Sequence, residues 1–132
     1  MINDSIVDNF VAPTCFHQIE ILFQDEHVLL INKPSGLLSL SGKNPLNKDS
    51  VHHRLVKDFP TASMVHRLDL GTSGVMVIAL NKIANANLAK QFQLRTVGKT
   101  YVSLLAGHVI DDEGEIDAPI AKDPQLFPRV KI

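Results

Sequence analysis

The stretch His66-Arg67-Leu68-Asp69-Leu70-Gly71-Thr72-Ser73-Gly74 concentrates the residue types that chemistry needs. In extended backbone the side chains alternate, so Arg67 and Asp69 fall on one side. A carboxylate beside a guanidinium, followed at once by a glycine-bearing turn, has two readings. It is a structural ion pair, or it is a reactive carboxylate steadied by a cation. On residue types alone the ion pair is the commoner arrangement. Gly71 and Gly74 give the backbone room to turn. The hydroxyls of Thr72 and Ser73 are suited to bind nearby backbone and fix the carboxylate.

Other constellations carry less. His52, His53 and His66 suggest a metal only superficially, because neighbouring helical residues diverge by about 100°. No cysteine or carboxylate stands at ligand spacing, so no metal site is expected. Ser73, His66 and Asp69 imitate a hydrolase triad, but there is no Gly-x-Ser-x-Gly elbow and the match is compositional. The single cysteine, Cys15, forms no internal disulfide. It reads as a small buried or idle thiol.

The elements that must position these groups come from one chain of 132 residues, 45% hydrophobic and 20% charged. That is ordinary globular composition, with room for one domain and a real core. No apolar run approaches the roughly 20 residues of a membrane helix, and the first residues lack the basic head of a secretory signal. The reading is a reduced, cytoplasmic protein. The net charge of −1 is uneven: residues 1–32 carry −5, residues 33–110 carry +7 and residues 111–132 carry −3. A positive centre suits a phosphate-binding face, although scattered surface lysines give the same sum.

Residues 1–18 read as an N-terminal extension or a loosely docked arm. Ile19–Phe23 and Val28–Ile31 form a hairpin with Asp25 and Glu26 at its tip. Asp49 or Ser50 caps a short helix with Val51, Leu55, Val56 and Phe59 on its apolar face. Met64–Asp69 is extended and Val75–Leu80 is a strand. Lys82–Arg95 is a helix with Ile83, Leu88 and Phe92 toward the core. Lys99–Ala106 and Ile116–Ile120 read as further strands. The order predicts an α+β domain over residues 19–132, built on a mainly antiparallel sheet with short helices.

Three ordered motifs then resemble one family. His66-Arg67-Leu68-Asp69, followed by Thr72-Ser73-Gly74, is similar to the signature of pseudouridine synthases of the RluA type. Asn32-Lys33-Pro34-Ser35-Gly36-Leu37 resembles the strand-and-loop motif upstream of it, and Lys99-Thr100-Tyr101 resembles the third motif. The resemblance implies an RNA pseudouridine synthase, an isomerase that converts uridine in structured ribosomal or transfer RNA to its C-glycoside. It implies Asp69 as the catalytic carboxylate, with Arg67 and Tyr101 on the substrate or RNA. Tyr101 would stack on the target base, and its hydroxyl would assist proton removal from C5. No cofactor and no metal are implied, and the complete enzyme would be a monomer with no membrane association.

The resemblance covers about the first half of a catalytic domain, and the family's later Arg- and Leu-bearing motif has no counterpart here. The 132-residue chain is therefore expected to be a truncated domain, inactive and poorly soluble by itself. The alternative is a catalytically inactive RNA-binding or vestigial fragment of such an enzyme.

Overall fold

The computed structural model describes residues 9–123, 125–126 and 130–132. Its ordered heart begins with a hairpin, β1 (Glu20–Gln24) and β2 (Val28–Lys33). The Asp25 carboxylate closes the turn by accepting from the amides of His27 and Val28 at 2.8 and 2.7 Å. Those bonds hold the Asp25 carboxyl below its ordinary range. The register shifts between Ile21 and Phe23, placing a bulge in the outer strand.

Strand β2 also pairs with β4 (Gly74–Ala79), which pairs in turn with the short β3 (Ser63–Met64). The sheet order is β1-β2-β4-β3 and every pairing is antiparallel. Alternation does the sorting: Leu29, Ile31 and Lys33 of β2 and Met76 and Ile78 of β4 turn to the covered face. Helix α1 (Val51–Leu55) is capped by Ser50, whose hydroxyl accepts from the His53 amide at 3.1 Å. It lays Val51 and Leu55 on the core, which also takes in Leu37, Ala62 and Leu68. The α+β class and the antiparallel sheet expected from the sequence are what the chain adopts.

Helix α2 (Lys82–Gln93) begins at Asn81, whose side chain accepts from the Ala84 amide. Its inward stripe differs from the expected one. Ile83 is exposed, while Ala84, Leu88 and Phe92 are half-buried. Five residues separate Ile83 from Leu88, about 140° around a helix, so the two cannot share a face. The stripe runs instead at four-residue spacing.

The chain divides into two compact units, and Val11–Val97 forms one of them. In that unit residues 12–17 are tied down. The Ala12 amide donates to Asn47, and Arg54 donates to the carbonyls of Cys15 and His17 while pairing with Asp49. The Arg54 guanidinium holds the Asp49 carboxyl below its usual range. A cleft of about 80 Å³ lies between Ala12–Cys15 and Gly36–Leu38, and Asp69 is not among its lining residues.

The other unit contains Gly98–Ile132. Its ladder consists of β5 (Ala121–Lys122) and β6 (Val130–Lys131). The strands expected at Lys99–Ala106 and Ile116–Ile120 do not form; both stretches are irregular. Val102, Leu104 and Ile116 stand almost fully exposed. An apolar, β-prone stretch becomes a strand only when a neighbour takes its amides and carbonyls.

Candidate active site

Past Met64 the chain leaves the sheet, and residues 66–69 run on without regular structure. Leu68 is buried in the core, whereas Arg67 and Asp69 on either side of it are exposed. This is the alternation that extended backbone imposes, with the apolar residue drawn inward and its charged neighbours sent out together. Among the described residues the ion pairs are Arg54–Asp49 and His27–Glu26. Arg67 and Asp69 are not joined in one, so the structural ion pair favoured by residue type is not what this segment uses.

What holds Asp69 is its own backbone. The Leu68 carbonyl accepts from the Ser39 hydroxyl at 2.6 Å, and the Leu68 amide donates back to that hydroxyl at 3.1 Å. The Asp69 carbonyl accepts from the Thr72 amide at 3.1 Å. The Leu70 carbonyl accepts from the Gly36 amide at 2.8 Å and from Lys33 Nζ at 3.3 Å. The Gly71 carbonyl accepts from the Ser35 hydroxyl at 2.8 Å. Four consecutive carbonyls are thus engaged, three of them by the single loop that follows β2. Gly36 makes this possible, because its φ of 85° lies where a side chain would be strained.

Lys33 is the group that sequence reasoning quoted without assigning it a task. Its side chain is fully covered, and Nζ also donates to the Pro34 carbonyl at 2.9 Å. Burial pushes its ammonium below the ordinary lysine value, with the Cys15 and Asp69 groups opposing that shift. The signal was its place in β2, where every second residue faces inward. The alternation was visible, but the carbonyls that satisfy a buried amine were not.

His52 and His66 are occupied in structure. His52 Nε2 lies 3.1 Å from the Ala62 carbonyl. His66 Nε2 accepts from the Val77 amide at 3.1 Å, and its ring stacks on Phe92. Among the described residues no cluster of three His, Cys, Asp or Glu side chains is disposed to hold a metal. Cys15 is half-buried with Sγ against the Ser35 carbonyl. Tyr101 belongs to the unit containing Gly98–Ile132, where it is exposed on irregular backbone.

The model of the RNA pseudouridylate synthase family matches residues 27–131. The chain belongs to that family. It is 51% identical over 112 residues to the dual-specificity RNA pseudouridine synthase RluA of Yersinia pestis, a match spanning 85% of this chain and 54% of the relative. The namesake of Vibrio vulnificus is 49% identical over 113 residues, covering 86% of this chain and 45% of the relative. That of Escherichia coli K12 is 46% identical over 112 residues, covering 85% and 51%. The chain therefore spans about half the length of the curated relatives it matches. Among solved structures, human RNA pseudouridylate synthase domain containing 1 aligns with a TM-score of 0.47 at 26% identity, over 63% of this chain and 31% of that one. No helix among the described residues is long and apolar enough to cross a membrane.

Proposed function

We propose that this chain carries the catalytic carboxylate, Asp69, of an enzyme that isomerises uridine to pseudouridine in ribosomal or transfer RNA. The observation that supports it is the pairing of an exposed carboxylate with a backbone whose carbonyls from Leu68 to Gly71 are all hydrogen-bonded. A carboxylate that reacts at a sugar or a base must be open to it and must not swing, since small misplacements cost rate. Its relatives are named as dual-specificity RNA pseudouridine synthases.

The reaction breaks the N1 glycosidic bond, rotates the uracil and joins C5 to the sugar, with a proton leaving C5. Asp69 acts as nucleophile or base in that sequence. Arg67, exposed beside it, meets RNA phosphate or bases. Tyr101 offers a ring to the displaced uracil and a hydroxyl near C5. Taking a uridine out of its stack costs a few kcal/mol, which contacts with the RNA must offset. The reading extends to residues 19–132 as part of a catalytic domain preceded by an extension, to a cytoplasmic setting, and to a monomeric complete enzyme.

The test is tritium release from RNA labelled at uridine C5, run on the whole chain and on Asp69→Asn. Release by the parent would set aside the expectation that these 132 residues are inactive by themselves, and retained RNA binding without release by the variant would then assign the chemistry to Asp69. Activity of the variant within about tenfold of the parent would remove Asp69 from the chemistry. The second reading is a catalytically inactive RNA-binding or vestigial fragment of such an enzyme. RNA binding by a parent that releases no tritium would select it.

A further inference from the structure

The β3–β4 ladder ends early. Ser63 faces Ala79 and Met64 faces Ile78, and no further pair follows. Hydrogen-bonded positions in an antiparallel ladder recur every second residue. The amide due next after Ala79 is that of Val77, and its strand partner would be a carbonyl near Val65. The Val77 amide instead donates to His66 Nε2 at 3.1 Å. A side chain has taken the place of the missing strand carbonyl, and the backbone is released from the sheet at that residue.

Two consequences follow from elementary chemistry. An imidazole nitrogen that accepts an N–H bond carries no proton, so a neutral His66 has its hydrogen on Nδ1. The ring is held on its face as well, stacked on Phe92 of α2 with centroids 4.6 Å apart and planes 10° from parallel. His66 thus joins β4, α2 and the segment leading to Asp69. Two residues later Leu68 enters the core under the Ser39 hydroxyl.

We infer that His66 is a positioning residue: its Nε2 closes the β3–β4 ladder in place of a backbone carbonyl and directs the chain off the sheet, setting where Asp69 stands. Its bearing on catalysis rests on the proposed role of Asp69. The hydrogen bond and its effect on Asp69 do not require turnover to be tested.

The experiment compares the whole isotope-labelled chain with His66→Gln and His66→Phe. Glutamine places an oxygen acceptor near the position of Nε2, and phenylalanine keeps a stacking ring without an acceptor. Long-range proton–nitrogen spectra of the parent should show the hydrogen on Nδ1. Exchange of the Val77 amide should quicken by about tenfold or more in His66→Phe and stay near the parent in His66→Gln. The Asp69 Cγ signal should move in the phenylalanine variant alone, a change that a purely structural ladder end would not produce. If the parent turns over RNA, kcat should fall by about tenfold or more in His66→Phe with KM unchanged, and glutamine should restore it. A hydrogen on Nε2, equal Val77 exchange in all three proteins, or an unmoved Asp69 signal in His66→Phe would overturn the inference. Should His66→Phe fail to fold, rapid Val77 exchange in His66→Gln would overturn it equally. A parent that releases no tritium counts against the proposed function and leaves these spectroscopic results standing.

Discussion

The stretches Val28–Lys33 and Lys99–Ala106 have similar sequence character and opposite fates. Both are short and rich in β-branched and aliphatic residues. The first lies between β1 and β4 with Leu29 and Ile31 fully buried. The second is irregular, with Val102 and Leu104 in the open. Period-two hydrophobicity therefore states a capacity, and a neighbouring strand converts it into structure. The segment around Asp69 teaches the same lesson differently. It has no ladder of its own, and the Lys33 amine of β2 with the hydroxyls and the Gly36 amide of the loop after it do the work of one.

The largest effect that would break this contrast is a core truncation. Ile31→Ala should lower unfolding free energy by about 2–5 kcal/mol, whereas Leu104→Ala should change it by less than about 0.5 kcal/mol. Urea denaturation of the two variants decides it, and equal losses would mean that Leu104 is buried after all. Amide exchange sharpens the comparison next. Amides of β2 and β4 should be protected by factors of roughly 10³ or more, and those of residues 99–106 should exchange almost as in a free chain.

Ser50→Ala should cost about 1 kcal/mol through loss of the α1 cap, read as a shift in urea midpoint at constant slope. The smallest effect concerns acid. Asp25 and Asp49 titrate below their ordinary value of 3.8 in the folded chain. A carboxyl that is more acidic when folded binds fewer protons than in the unfolded chain. Its stabilisation is therefore full above about pH 4 and is lost as pH falls through the lowered folded value. Asp49→Asn should flatten the stability curve in that window by a few tenths of a kcal/mol, because the Arg54 pair is partly screened by water. An unchanged slope below pH 4 would show that the pair adds nothing.

Much of this was legible beforehand. The hairpin announced itself by two apolar runs around Gln24–His27, the first helix by Ser50 before Val51, and the second by its length and composition. Asp69 and Arg67 were correctly sent to one side, because alternation is local. What was not legible depends on residues distant in sequence. The two strands expected after residue 98 have no pairing partner among the described residues, and Ile83 faces out because it lies about 140° around the helix from Leu88. Neither the Ser39 hydroxyl nor the Lys33 amine has a task that its local sequence reveals, since each becomes a clamp only when a carbonyl arrives from 29 or 37 residues away.

The bulge between Ile21 and Phe23 bears on how copies of this chain meet one another. The strand that carries it is an edge of the four-stranded sheet among the described residues, and Ile21, Leu22 and Phe23 are each about half exposed there. A straight rim with such side chains would be a template on which another copy could continue the sheet indefinitely. An extra residue on one side kinks the rim and throws its free amides out of step with any straight strand laid against it. An irregular edge of this kind is a poorer template for a further strand than a straight one.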